Sequence, residues 1–252
     1  MSDPIKTDLC IIGAGSGGLS VAAGAVQMGA SVVLIEKGKM GGDCLNYGCV
    51  PSKSLIAAAH TAHSVRTGGR FGVNGHEPEV RFGEVHQHVH SVIAAIAPND
   101  SVERFEGLGV QVIQAAARFT GPGEVEAGGQ KIQARRFVIA TGSSPAHPDI
   151  PGLAETPYLT NETVFDLTER PDHLIIIGGG PIGCEMAQAN RRLGARVSVI
   201  QKQKILPKDE PEAVDVVRQR FLEEGIELYE NASIKAVERD NNGIAVVVDH
   251  GG

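Results

Sequence analysis

The chain has 252 residues, 42% of them hydrophobic and 21% charged, a globular balance with length for one large or two ordinary α/β domains. A net charge of −7 without any clustered Lys/Arg stripe argues against nucleic acid as a main partner, because phosphate neutralisation supplies most non-specific affinity for it. No stretch approaches the roughly 18 uncharged apolar residues that cross a bilayer, and Met1 to Lys6 lacks a signal peptide's basic and apolar regions, so small-molecule ligands, no membrane partner and a cytoplasmic location are expected.

Asp8-Leu9-Cys10-Ile11-Ile12 is a short apolar run that fits a buried parallel strand, and it passes directly into Gly13-Ala14-Gly15-Ser16-Gly17-Gly18. Gly13 permits a tight turn and Gly15 lets the backbone approach a pyrophosphate. Gly18 lets the following helix pack close on the strand, with its N-terminus facing the anion. Val32-Val33-Leu34-Ile35 reads as the next strand and ends in Glu36, an acid placed to accept hydrogen bonds from ribose hydroxyls. The glycine pattern alone is a weak signal; strand, turn, helix and terminal acid together predict a dinucleotide-binding unit.

Just beyond it, Gly41-Gly42-Asp43-Cys44-Leu45-Asn46-Tyr47-Gly48-Cys49-Val50-Pro51-Ser52-Lys53 sets two cysteines with four residues between them. That spacing allows the short sulfur–sulfur distance of a disulfide, and Asn46 and Gly48 suit a strained start to a helix. The segment reads as an exposed, reducible dithiol/disulfide. The plainer alternative is a stapling disulfide or two buried thiols, but a compartment with little disulfide use disfavours an ornamental bridge. The remaining two of the four cysteines, Cys10 in an apolar run and Cys184 in a helical pattern, read as buried bystanders.

Glu84-Val85-His86-Gln87-His88-Val89-His90 places His86 and His90 at helical i, i+4 spacing. No third ligand stands at a suitable spacing, and an amphipathic helix continues through Val92, Ile93 and Ile96. These histidines, like His60 and His63, therefore read as surface or partly packed rather than metal-binding. Short strands with glycine turns follow at Gln111 to Ile113, Gly123 to Glu126 and Lys131 to Gln133, then Arg136 to Ile139 running into Ala140-Thr141-Gly142. Thr141 and Gly142 would bring backbone close to a nucleotide at the carboxyl edge of a parallel sheet. The Pro-rich stretch Ser143 to Gly152 makes the natural domain boundary, giving domains 1–150 and 151–252.

The pattern then repeats. Leu174 to Ile177 is followed by Gly178-Gly179-Gly180-Pro181-Ile182-Gly183, a helix to about Leu193, and the strand Arg196 to Ile200. Two dinucleotides are implied. This strand ends in Gln201 rather than an acid, with Lys202 and Lys204 beyond it. Loss of the carboxylate leans toward NADP without deciding between NAD and NADP, since lysines after a strand are commonly just solvated. Asp209-Glu210-Pro211-Glu212 precedes a helical pattern through Phe221, where acids suit a helix N-terminus.

These motifs make the chain resemble the flavin-dependent pyridine nucleotide-disulfide oxidoreductases, the group containing dihydrolipoamide dehydrogenase, mercuric reductase and glutathione reductase. The resemblance covers essentially the whole chain. Ser52 stands where glutathione-type enzymes usually carry a lysine, so Cys44 to Lys53 looks most like the first two. The resemblance implies an α/β fold of two Rossmann-like three-layer dinucleotide-binding domains, one for FAD and one for NAD(P), each with a small antiparallel β insertion. It implies FAD held by Gly13, Gly15, Gly18, Glu36, Lys37, Gly42 and the corner Ala140, Thr141, Gly142, and NAD or NADP held by Gly178, Gly180, Gly183 and Gln201. Electrons would pass between nicotinamide, flavin and a Cys44–Cys49 disulfide, with Cys49 on the flavin side and Cys44 as the interchange thiol. Lys53 would stabilise reduced flavin and thiolate, and Glu185 matches the family glutamate that pairs with that lysine. Pro181 replaces a residue that gates the nicotinamide pocket in several relatives, which disfavours a movable tyrosine lid.

Relatives are longer, with a further Gly-Asp flavin motif and a C-terminal dimerisation domain carrying a His-x-x-x-x-Glu pair. Neither is present after Gly183, and the chain ends in a β-rich stretch, Ala245 to Gly252. A fragment is expected, of a protein that is a homodimer acting on a small-molecule disulfide or dithiol. Alternative expectations are a mercuric reductase, or a non-catalytic module whose binding responds to the oxidation state of Cys44 and Cys49.

Overall fold

Apolar strands bring each glycine motif to the edge of a parallel sheet. The computed structural model describes residues 3–240 and 243–250, so Met1 and Ser2 of the expected N-terminal segment and Gly251 and Gly252 of the last β stretch lie outside the described residues. The chain divides into two units, Met1–Pro51 with His90–Pro145, and Ser52–Val89 with Ala146–Gly252. The expected division at residue 150 is thus crossed by Ser52–Val89.

In the first unit, β1 (Ile5–Ile12), β2 (Val32–Glu36), β3 (Gln111–Gln114), β4 (Ala117–Gly121), β5 (Glu124–Ala127) and β6 (Gln130–Ile139) form one sheet ordered β3-β2-β1-β6-β5-β4. β1 runs parallel to β2 and β6, with Cys10 opposite Val33 and Ile12 opposite Ile139. Because these three strands run in the same direction, Gly13, Glu36 and Ala140 emerge at the same carboxyl edge. The ladder continues past the strand ends, the Gly13 amide donating to Ile35 O (2.8 Å) and the Ala140 amide to Ile12 O (2.8 Å). Helix α1 (Ser16–Gln27) covers this sheet, and Ile11, Leu19, Ala22, Val32, Leu34 and Phe105 make a core with it. The antiparallel β4-β5-β6 edge is the small insertion. Lys131 to Gln133 and Arg136 to Ile139, expected as separate runs, belong to the single strand β6, and β4 was not anticipated.

Two helices follow β2: the short α2 (Gly42–Asn46), then α3 (Cys49–Thr67), whose residues from Ser52 onward belong to the second unit, as do those of α4 (Phe82–Ile96) up to Val89. Helix α5 (Val102–Gly107) carries Phe105 into the first core. His86 shares a small apolar pocket with Leu55, Phe82, Val89 and Asn190. Among the described residues no group of three or more His, Cys, Asp or Glu side chains could hold a metal ion.

In the second unit, β7 (His173–Ile177), β8 (Arg196–Gln201) and β9 (Glu227–Glu230) are parallel in that order, and β10 (Ser233–Asp240) pairs antiparallel with β11 (Gly243–Asp249). Helices α6 (Pro181–Arg192) and α7 (Pro211–Glu223) pack on the parallel strands. Ala187, Val197, Val199, Phe221 and Ile226 are its buried centre. Truncating Phe221 to alanine there is worth about 3–5 kcal/mol. Among the described residues no helix is long and apolar enough to cross a membrane.

Candidate active site

The first glycine turn is shaped by what surrounds it. Gly13 has φ +107°, and a Cβ there would sit 2.2 Å from Ala140 O; a Cβ on Gly18 would sit 1.8 Å from Gly13 O. Both contacts are closer than any side chain tolerates, so the turn and α1 approach each other only as glycine. Gly15 caps α1 without a side-chain hydrogen bond, and the first turn of α1 holds no acid. Its N–H groups and the positive end of the helix dipole are therefore available to an anion. Glu36 receives the Ala14 amide on Oε2 (2.6 Å) and the Gly38 amide on Oε1 (2.7 Å). Each oxygen keeps lone-pair capacity, which is what a ribose hydroxyl donates to. Thr141 and Gly142 are exposed just past β6, Gly142 at φ +69°, and Lys37 is exposed past β2.

The cysteine pair is built directly onto that turn. Gly41 pairs with Gly15 in a parallel bridge and donates to Ala14 O (2.9 Å), and a Cβ on Gly42 would lie 2.6 Å from Gly15 Cα. Gly41 and Gly42 have φ +83° and +57°, conformations that glycine enters without a Cβ penalty. Asn46 Nδ2 donates to Met40 O (3.0 Å) and Gly42 O (2.8 Å), closing α2 at both ends. The expected strained helix start is a break: α2 stops at Asn46, and α3 begins at Cys49 after Tyr47 and Gly48. Cys44 lies half-buried in α2 and Cys49 exposed at the first position of α3. The structure holds them as two thiols in hydrogen-bond contact rather than as a disulfide. That hydrogen bond to Cys49 chiefly, with burial and the Cys49 and Asp100 charges, pushes the Cys44 thiol up.

The second glycine turn repeats the first in backbone and departs from it in surroundings. Gly178 has φ +110°, and a Cβ on Gly183 would lie 2.0 Å from Gly178 O, but among the described residues nothing stands within 4 Å of a Cβ on Gly178 or Gly180. Gly180 caps α6, Pro181 occupies its first turn, and that turn holds no acid. Gln201 Oε1 accepts the Gly179 amide (2.9 Å) where Glu36 accepts the Ala14 amide. Cys10 and Cys184 are buried beside the two turns, and burial pushes each thiol up to about 11.

Lys53 on α3 and Glu185 on α6, 132 residues apart, meet in the second unit: Lys53 Nζ donates to both carboxylate oxygens at 2.7 Å. The side chains are 61% and 37% exposed. Such a pair contributes at most about 1 kcal/mol to stability, so its effect is to fix an ammonium group in place. Helix α3 is anchored behind it, Arg66 Nη1 donating to Arg192 O (3.2 Å) while Arg192 makes a two-point bond with the buried Glu224 carboxylate (2.7 and 2.8 Å). Nothing in the local pattern around Arg66, Arg192 or Glu224 marks these contacts. Gly41, by contrast, was legible as half of a Gly-Gly pair.

A family model described as pyridine nucleotide-disulphide oxidoreductase matches residues 7–252. The chain belongs to that family. It is 36% identical over 243 residues to the mercuric reductase of Streptomyces lividans, covering 94% of this chain and 51% of the relative, and 32% identical over 250 residues to the dihydrolipoyl dehydrogenase of Thermus scotoductus, covering 96% and 52%. The chain thus spans about half the length of these curated relatives. Among solved structures, the HOCl-induced flavoprotein disulfide reductase RclA from Escherichia coli superposes with a TM-score of 0.82 at 26% identity, over 97% of this chain and 53% of that one. The resemblance read from the glycine turns and the cysteine pair therefore holds, and the two-unit α/β architecture is that of a flavoprotein disulfide reductase.

Proposed function

We propose that the whole protein is an FAD-dependent oxidoreductase that passes electrons between NAD(P)H, FAD and the Cys44–Cys49 pair, most like dihydrolipoamide dehydrogenase. The observation that carries this is the cysteine pair, held in mutual contact by a loop that packs backbone to backbone on the first glycine turn. FAD, when bound, supplies the two-electron chemistry that links a nicotinamide to a dithiol. Gly13, Gly15, Gly18, Glu36, Lys37, Gly42, Ala140, Thr141 and Gly142 would hold it. Gly178, Gly180, Gly183 and Gln201 would hold NAD or NADP, and domains 1–150 and 151–252 take these two roles.

Chemistry at the sulfurs balances simply. Closing the Cys44–Cys49 bond releases two electrons and two protons, and opening it takes them back. By the family resemblance Cys44 is the sulfur that meets a small-molecule disulfide or dithiol, and Cys49 the one that faces the flavin. Lys53, four residues after Cys49 in α3 and pinned by Glu185, supplies a fixed positive charge. We place the protein in the cytoplasm, as a homodimer, with neither nucleic acid nor membrane as partner.

Replacing Cys49 with serine in the whole protein should abolish NAD(P)H-linked lipoamide turnover while leaving FAD bound; unchanged turnover would sink the reading. A second reading, reduction of Hg(II) by the same dithiol, is favoured by the similarity to mercuric reductases such as that of Streptomyces lividans. Side-by-side turnover with lipoamide and with a thiol-complexed Hg(II) salt separates the two.

A further inference from the structure

Helix α3 is tied off by a short loop whose middle is left loose. The Val73 amide donates to Gly68 O (3.2 Å) and the His76 amide to Val65 O (3.3 Å), so the chain turns back onto the end of the helix. Arg66 holds the Glu77 carboxylate from Nε (2.8 Å) and Nη2 (2.5 Å), the same side chain whose Nη1 reaches Arg192 O on α6. Between those ties stand Asn74 and Gly75, both exposed and outside any helix or strand. Among the described residues neither the Asn74 side chain nor the Gly75 amide makes a hydrogen bond. Phe71 and Val73, 75% and 65% exposed, leave the loop tip unpacked.

An asparagine amide is most reactive when glycine follows it, because no Cβ shields the next backbone nitrogen. That nitrogen attacks the side-chain Cγ and ammonia leaves. The five-membered imide so formed takes up water at either carbonyl, giving aspartate or isoaspartate; one ammonia is lost, one water is gained, and nothing is oxidised or reduced. The fold keeps this reactive pair in place. A Cβ on residue 75 would lie 2.8 Å from Arg66 O and 3.2 Å from Val65 O, so packing against α3 demands glycine there. The other described asparagines are shielded or have bulkier neighbours. Asn46 and Asn190 commit Nδ2 to backbone carbonyls, Asn99 and Asn161 precede acids, and Asn231 precedes Ala232, whose amide is bonded to Gln201 O.

We propose that Asn74 is a site of spontaneous deamidation, with water as the co-reactant, and that the isoaspartate formed there releases the loop from the end of α3. Isoaspartate carries the backbone through the former side chain and adds one carbon between residues 74 and 75. The Val73 and His76 ties then no longer meet the helix end in register. The new carboxylate also enters a loop held at a helix C-terminus, where the dipole disfavours negative charge.

The purified chain, aged in mildly alkaline buffer and mapped by mass spectrometry, folded and in urea side by side, tests this. The peptide carrying Asn74 should convert to its acid form, isoaspartate exceeding aspartate, within about threefold of the rate in urea, because an untied loop shields the pair no more than denaturation does. The other described asparagines should keep their amides over the same period; Asn242-Gly243, the second such pair in the sequence, falls on a separate peptide. Asn74→Gln should remove the product. Amide exchange at His76 should be at least about tenfold faster in the aged chain than in the Asn74→Gln chain treated alike, while Asn74→Asp, which adds the charge without the extra carbon, should stay within about threefold of it. Conversion of Asn74 more than about tenfold slower in the folded chain than in urea overturns the site. Conversion that leaves His76 exchange unchanged overturns the release of the loop.

Discussion

The two glycine turns share a backbone and differ in what has been built against them. At the first, Ala140 O, Gly41 and Gly42 close in, and the strand-end acid bonds two amides. At the second, no described residue stands over Gly178 or Gly180, and the strand-end amide bonds one. The sheet of the first unit reaches to a fourth parallel strand, β6, whose end supplies Ala140; among the described residues the second sheet has three strands, and none of their ends lies over its turn. The repeated motif thus sets the same chain path twice, and at the first turn the end of β6 encloses that path. The enclosed turn carries the dithiol loop, and the open one carries a loop of lysines.

Alanine scanning of the glycines should expose that difference most strongly. Gly18→Ala and Gly183→Ala should hurt about equally, since each Cβ lands near 2 Å from a carbonyl oxygen, 1.8 and 2.0 Å. Gly13→Ala adds a backbone clash to a strained φ and should cost more than about 4 kcal/mol, whereas Gly178→Ala carries the strain alone, about 1–3 kcal/mol. Hydrogen exchange read separately on the two units is the measurement, because units of one chain need not unfold together. Equal losses at Gly13 and Gly178 would mean that Ala140 gives way and that the enclosure is soft.

Much of this was legible from residue order alone. Ile11, Ile12, Leu34, Ile35 and Ile176 are buried or half-buried strand residues as their runs require, and glycine, helix and strand-end residue follow at the spacing the motif demands. β4 escaped because Arg118, Phe119 and Thr120 are exposed and the strand pairs on one side only, with β5, so no burial pattern marks it. The assignment of Ser52–Val89 to the second unit escaped for a different reason. Helix α3 runs through the boundary without a break, and a local pattern carries no information about which core a continuous helix joins. The Lys53–Glu185 pair came from family resemblance, since two residues 132 positions apart share no local signal. The positive φ of Leu206 has no counterpart in the sequence at all.

Thiol labelling asks whether the two turns guard their neighbouring cysteines alike. Cys10 in β1 and Cys184 in α6, both held near 11 by burial, are about one-thousandth thiolate at pH 8 and shielded as well. Cys44 and Cys49, half-buried and exposed, should be the two that react with an aromatic disulfide reagent before unfolding. A third fast thiol, mapped by mass spectrometry to Cys184, would show that the open second turn admits reagents that the enclosed first turn excludes.

The smallest expected effect concerns acid. Burial pushes the Glu230 carboxyl up, but the Arg218 and Ile205 bonds, with the charges of Arg218 and Lys204, more than offset it and hold the group below its ordinary 4.5. A carboxylate whose folded value is depressed is protonated first in the unfolded chain. Its stabilisation is therefore complete above about pH 4.5 and is lost as pH falls through the lower folded value. Amide exchange at Ile205 and Leu206, corrected for its intrinsic pH dependence, should accelerate on acidification below that point, while exchange at Ala14, which rests on Glu36 and has no such arginine behind it, serves as the comparison from the first unit. Arg218→Met should bring the acceleration to higher pH, because the bond that offsets burial is gone. If Ile205 stays protected to the same pH with and without Arg218, the loop after β8 is held by the Leu206–Gly179 bond instead of by the charged pair.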